Sequence, residues 1–144
     1  MRMTSVLQPT YILHTRPYRD TSLLIDALTL EQGRISLIAK AGRSPRGRSA
    51  RFHAVLQAFT PFMCTWRGKT DLFQLIKAEV RPTPRIALSG KQLLCGFYLN
   101  ELLTRLLPRQ DAYPVLFQYY ESTLLDLVNH PQRALRCFEK KTTR

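Results

Sequence analysis

The sequence predicts an α+β protein: a small five-stranded barrel over residues 1–80, followed by an α-helical region over residues 86–144. Three observations predict it. Short β-prone runs separated by turn residues fill the first 80 positions, with little sign of helical spacing. Beyond Pro82 and Pro84 the apolar period becomes that of helices. Charge divides with the period. Residues 1–85 carry 14 basic and 5 acidic side chains, net +9, whereas residues 86–144 carry 8 and 5, net +3.

Residues 11–15, Tyr-Ile-Leu-His-Thr, are short and β-prone. The polar turn Arg19-Asp20-Thr21 leads into a second strand at residues 22–29. The turn Glu31-Gln32-Gly33 precedes a third at residues 34–39, where Ile35, Leu37 and Ala39 alternate with Ser36 and Lys40, apart from Ile38. Residues 62–67 and 72–78 flank a hairpin-like connection at residues 68–71. A long irregular insert separates the third strand from the fourth. Five strands in about 80 residues cannot leave both sheet edges open and apolar, and closure into a barrel is the common solution. The OB barrel fits the count and size. An SH3-like barrel is the rival, and strand count alone does not separate them.

The helices follow. Ser89 and Gln92 have capping-box spacing. Leu93, Leu94, Phe97, Tyr98, Leu99, Leu102, Leu103, Leu106 and Leu107 then cover most of a helix, which predicts a central rather than a peripheral position. Pro108 stops it. Asp111 is placed to cap a second helix containing Val115, Leu116, Phe117, Tyr119, Tyr120, Leu124, Leu125, Leu127 and Val128, and Pro131 suits the first turn of a third.

A chain of 144 residues with 44% hydrophobic content can bury a real core. Its charge is the outlier: net +12, with a pI near 10.3. Such an imbalance costs self-repulsion, and a polyanionic partner is the usual compensation. Nucleic acid leads and an anionic membrane surface comes second. Arginine supplies most of the charge, and its planar fork both binds phosphate bidentately and stacks on bases. Cys64, Cys95 and Cys137 are far apart, so no zinc ribbon or redox pair can be read, and the pattern suits a reducing cytosol. The first 20 residues lack signal-peptide features, and no uncharged apolar run approaches the 18 or so residues of a membrane span. A cytoplasmic, nucleoid-associated protein without a membrane role is therefore expected.

No nucleophile-elbow, zinc-protease or Walker motif is present, and Gly68-Lys69-Thr70 lacks the upstream glycine of a phosphate loop. The expectation is a non-enzyme with no cofactor and no metal. The most specific local feature is the acid-free segment of residues 40–51, with Lys40, Arg43, Arg46, Arg48 and Arg51 among glycine, serine and proline. Such a segment can follow a phosphate backbone without demanding a sequence. Arg16, Arg19, Arg34, Arg67 and Lys69 add barrel cations. Tyr11, Tyr18, Phe52, Trp66 and Phe73 could stack on bases or fill the core. Trp66 beside Arg67, and Tyr18 between Arg16 and Arg19, are the leading stacking candidates.

These residues also carry a resemblance. The run from Tyr11 to Leu24, the stretch Thr29 to Arg34 leading into Leu37-Ile-Ala-Lys-Ala-Gly-Arg43, and Leu56-Gln-Ala-Phe-Thr-Pro61 resemble the RecO family of bacterial recombination mediators. Gly96-Phe-Tyr-Leu-Asn-Glu-Leu-Leu103 and Ala134-Leu-Arg-Cys-Phe-Glu139 are similar to its helical signatures. The match keeps order and spacing over nearly the whole chain. It implies an N-terminal OB fold and a helical domain. It further implies binding of single- and double-stranded DNA, annealing of complementary strands, and loading of RecA together with RecR. Arg136 matches a family arginine that helps hold the C-terminal tail of single-stranded DNA-binding protein. Family members are longer and complete a helical bundle, so the resemblance implies a C-terminally truncated member. Two other readings fit the composition: an RNA- or ribosome-associated OB protein, and a protein-binding adaptor whose charge is incidental.

Overall fold

Alternation dictates the barrel. Ile25, Ala27, Ile35, Leu37, Ala39, Phe62, Cys64, Trp66, Phe73 and Leu75 belong to one buried cluster, and the residues between them face outward. The computed structural model describes residues 2–3, 6–40, 55–69, 71–84 and 86–130. Its strands are β1 (Arg2–Met3), β2 (Gln8–Tyr18), β3 (Ser22–Thr29), β4 (Gly33–Ala39), β5 (Phe62–Gly68) and β6 (Leu72–Val80). Its helices are α1 (Gly90–Leu106) and α2 (Pro114–Asn129).

Strands β2, β3 and β4 form an antiparallel meander, β4 pairs parallel with β6, β6 pairs antiparallel with β5, and β5 returns to β2. The ring is closed, so no long edge remains. The parallel pairing of β4 with β6 decides for the OB arrangement over the SH3-like one. The short β1 adds two residues beside Arg67 and Gly68 of β5.

Strand β2, expected from the sequence only over residues 11–15, is longer than that pattern indicates. It pairs with β5 through Gln8, Pro9 and Thr10, then with β3 as far as Tyr18. Pro17 is tolerated because only β3 pairs with this part of β2, so its missing N–H disrupts no second ladder. The register shifts between Ile12 and His14. Ile12 joins the barrel cluster, while Tyr11 and Leu13 belong to a second cluster beneath the helices. The bulge thus resets the alternation, so that His14, Arg16 and Tyr18 face outward on the strand's second half.

The second cluster joins Tyr11, Leu13 and Leu28 of the barrel to Phe59, Ile86, Leu103, Phe117, Tyr120, Leu124 and Leu127. Within it, Tyr120 donates to Asn100 Oδ1 at 2.6 Å, and Asn100 is almost wholly buried. The Arg81 guanidinium pairs with Glu121 and lies over the rings of Tyr11 and Phe117.

Three helical expectations need correction. Ser89 is the N-cap of α1, but its hydroxyl makes no capping bond. The first helical residue, Gly90, adopts a φ of +56°, so the chain enters the helix without box geometry. The N-cap of α2 is Tyr113, not Asp111, and Pro114 occupies the first turn. Asp111 instead accepts a hydrogen bond from Tyr113 Oη at 2.9 Å. Among the described residues, α1 is covered on one side only. Gly96, Asn100 and Leu103 are buried, whereas Leu94 and Leu106 are 70% and 73% exposed. The third helix expected from Pro131 lies outside the described residues.

Candidate nucleic-acid interface

The outer face of β2, β3, β4 and β6 is read directly from the register. His14 lies opposite Asp26, Asp26 opposite Ser36, and Ser36 opposite Leu72. The next row runs Arg16, Leu24, Ile38, Gln74. Tyr18 ends β2, and Lys40 follows the last residue of β4. Arg67 ends the outward positions of β5, and Lys69 lies in the connection to β6. Of the sequence-derived candidates, Arg16, Arg19, Lys40, Arg67 and Lys69 are all exposed. Arg16, Lys40, Arg67 and Lys69 make no ion pair with another described residue, so their charge is open to an external anion. The Arg19 guanidinium lies 5.2 Å from the centre of the Tyr18 ring, and Arg19 itself has a φ of +53°.

A cavity of about 280 Å³ opens on this face, lined by His14, Arg16, Tyr18, Leu24, Asp26, Ser36, Asp71, Leu72 and Arg109. The segment between the helices, residues 107–113, packs beside it. Gln110 N donates to Arg34 O at 2.8 Å, and Gln110 Nε2 donates to Asp71 Oδ1 at 3.1 Å. Gly33, at a φ of +71°, permits this approach, because an added Cβ would overlap the Asp111 carbonyl oxygen.

Two candidates do not belong to the surface. Arg34 is buried: Nη1 pairs with Asp26 Oδ1 at 3.1 Å, and Nε donates to Leu107 O at 3.0 Å. Its guanidinium ties barrel to helices, because the segment after α1 covers this end of β4 and takes up the donors a phosphate would need. Trp66 is 3% exposed and packs against Phe73 with ring centres 6.2 Å apart. It continues the inward alternation of Phe62 and Cys64 along β5, and the register shift beside it is taken up by the extra residue Ile76 of β6, so its ring fills the barrel away from any base. Tyr11 and Phe73 are likewise core residues, which leaves Tyr18 as the half-buried aromatic on the face. Arg43, Arg46, Arg48, Arg51, Phe52 and Arg136 lie outside the described residues.

Sequence reading missed His14 and Arg109. His14 carries a findable signal, since it stands two residues before Arg16 on an alternating strand. Arg109 carries none, because Pro108-Arg109-Gln110 has no period and reaches the barrel only through tertiary contacts. Among the described residues, no group of three or more His, Cys, Asp or Glu could hold a metal ion. No helix of the described residues is long and apolar enough to cross a membrane.

Barrel closure, strand order and the helical layer define this chain as an OB-barrel protein with a helical region packed against one side of the barrel. The family profile for the recombination protein O N-terminal region matches residues 1–83, and that for the C-terminal region matches residues 88–143. The chain is 47% identical over 136 residues to a DNA repair protein RecO of Coxiella burnetii, covering 94% of this chain and 57% of that protein. It is 48% identical over 141 residues to one from Nitrosococcus oceani, covering 96% and 55%. A third, from Burkholderia pseudomallei, is 44% identical over 135 residues, covering 92% and 48%. This chain belongs to the RecO family, and it spans about half the length of the relatives it matches.

Proposed function

We propose that this chain binds DNA through the outer face of its barrel and serves DNA repair and recombination. The activity we assign is annealing of complementary strands and, with RecR, assistance to RecA loading on strands coated by single-stranded DNA-binding protein. One observation carries the reading. Arg16, Lys40, Arg67 and Lys69 project from an OB barrel without an ion pair to any described residue, in a family whose relatives are named DNA repair proteins. Cations left unpaired on a folded surface cost self-repulsion, which a polyanion relieves. The segment carrying Arg43, Arg46, Arg48 and Arg51 follows Lys40 directly, so it extends the same charge. Arg136 is assigned to the acidic tail of the coating protein.

Phosphate contacts make affinity fall with salt. If about five phosphates are neutralised, the log–log slope on single strands is about −3.5. An anisotropy titration of this 144-residue chain with unrelated oligonucleotides checks it, and a slope near zero would refute the electrostatic reading. A strand-annealing assay supplies the second test. Replacing Arg43, Arg46, Arg48 and Arg51 with alanine should slow annealing, and unchanged annealing would remove that segment from the site. A clear preference for a matched RNA oligomer would move the assignment to RNA.

A further inference from the structure

One wall of the cavity on the barrel face does not belong to the barrel. His14, Arg16 and Tyr18 enter it from β2, Asp26 from β3, Asp71 from the β5–β6 connection, and Arg109 from the segment between the helices. That segment is held in place by backbone and side chain. Besides the two Gln110 contacts, the Arg34 guanidinium donates to Leu107 O at 3.0 Å, and the backbones of Arg34 and Arg109 form a parallel bridge. The Arg109 side chain is exposed, and no ion pair ties it to another described residue.

The charges in the cavity are unequally satisfied. Asp26 is paired with Arg34, and Asp71 accepts from Gln110. Arg16 and Arg109 make no such pair with a described residue. Gln110 is neutral, so Asp71 keeps its charge, and Arg16 and Arg109 against that one carboxylate leave the cavity net positive. The chemistry still open is that of an anion, which an arginine fork binds best as phosphate or carboxylate. His14 and Tyr18 place two flat rings beside the arginines. A volume of about 280 Å³ falls just under the roughly 300 Å³ at which small-molecule sites begin. It suits one base with its phosphate rather than a stack.

We infer that this cavity seats a single nucleotide of a DNA single strand, with its phosphate between Arg16 and Arg109 and its base against His14 and Tyr18. The helical region thereby supplies a DNA contact to the barrel face. The inference rests on the DNA-binding reading above and adds to it a specific seat and a preference for single strands. A duplex gains less from the seat, because its bases are stacked and paired and extrusion costs both.

Three labelled 20-mers test it by anisotropy: oligo(dT), an abasic strand with the same number of phosphates, and a duplex. The wild-type chain is expected to bind oligo(dT) more tightly than the abasic strand. His14→Ala should narrow that preference by about 5-fold or more, the lower end of what one stacked base supplies. Arg109→Ala should weaken oligo(dT) binding and reduce the magnitude of the log–log salt slope by about 0.7, one phosphate contact on single strands. Arg109→Lys should keep the slope. Because both side chains are exposed, each variant should retain the wild-type thermal midpoint, and the midpoint is measured alongside. Salt-dependent binding that treats oligo(dT) and the abasic strand alike, with both alanine variants at wild-type affinity, would overturn the seat while leaving DNA binding intact. Absence of DNA binding by the wild-type chain would overturn both readings. Displacement of oligo(dT) by free thymidine monophosphate at equal phosphate concentration would assign the cavity to a free nucleotide instead.

Discussion

Tyr120 shows how much can rest on one hydroxyl. It donates to Asn100 Oδ1 inside the layer that joins barrel to helices. Tyr120→Phe leaves that acceptor without its donor, and the expected loss is about 1–3 kcal/mol by urea denaturation. The same burial sets an alkaline response. Desolvation raises the Tyr120 phenol, with the nearby Tyr11 adding to it, and desolvation together with Glu121 raises Tyr11 above the ordinary value of 10.0. Desolvation also pushes the Cys64 thiol up to about 12 from 9.0. Folding thus favours the neutral forms, so the unfolded chain releases protons first as pH rises. Stability from these groups is complete below their ordinary values and is lost from about pH 9–10 upward, toward the raised folded values. Tyrosinate absorbance should therefore appear in two stages, with Tyr11 and Tyr120 ionising only as the circular dichroism signal is lost. A titration complete before that loss would contradict the burial. Trp66 gives a further prediction. Trp66→Ala should cost about 3–5 kcal/mol as a core truncation. In the intact chain, the emission of this single tryptophan should not change when oligonucleotide is added.

At the scale of elements, two local devices matter most. The bulge between Ile12 and His14 adds one residue to β2, so that an apolar outward pair, Tyr11 and Leu13, is followed by a polar outward set, His14, Arg16 and Tyr18. The strand thereby serves the helical layer with one half and the candidate DNA face with the other. The second device is Gly33, where a left-handed backbone meets the segment between the helices. Gly33→Ala should destabilise by roughly 1–2 kcal/mol from backbone conformation, with a further loss from overlap with Asp111. It should also displace Arg109, so oligo(dT) affinity should fall along with the thermal midpoint. Wild-type affinity in a folded Gly33→Ala variant would separate the segment from the site.

Across the whole molecule, charge is uneven, and among the described residues the helices carry most of the exposed large apolar side chains, with Ile76 and Val80 of β6 adding to them. The barrel holds most of the positive charge, while α1 exposes Leu94, Phe97, Tyr98 and Leu106, and α2 exposes Val115 and Tyr119. Exposed apolar groups on this scale promote association. Leu94→Glu with Leu106→Glu should change stability by no more than about 1 kcal/mol, because neither side chain is buried. The same pair should reduce concentration-dependent self-association in sedimentation velocity. Unchanged association would place the contact elsewhere.

The sequence by itself determined the strand and helix periods, the change between them near residue 85, the concentration of charge in the barrel, and the family. The periods, their change and the charge are local or additive, so alternation, proline placement and residue counts suffice to read them, while the family was read from the resemblance of ordered runs such as Tyr11 to Leu24 and Gly96 to Leu103. Only the tertiary structure decided which cations face outward. Arg34 and Arg16 look alike as residues, yet one is an internal tie to Asp26 and Leu107 O while the other lines a cavity. Trp66 looked suited to stacking beside Arg67, yet it continues the inward alternation of Phe62 and Cys64, and Arg109 became a candidate only because a segment between helices lies against β4. Such outcomes depend on strand register and on contacts between residues more than 70 positions apart, as from Arg34 to Leu107, which no local pattern encodes.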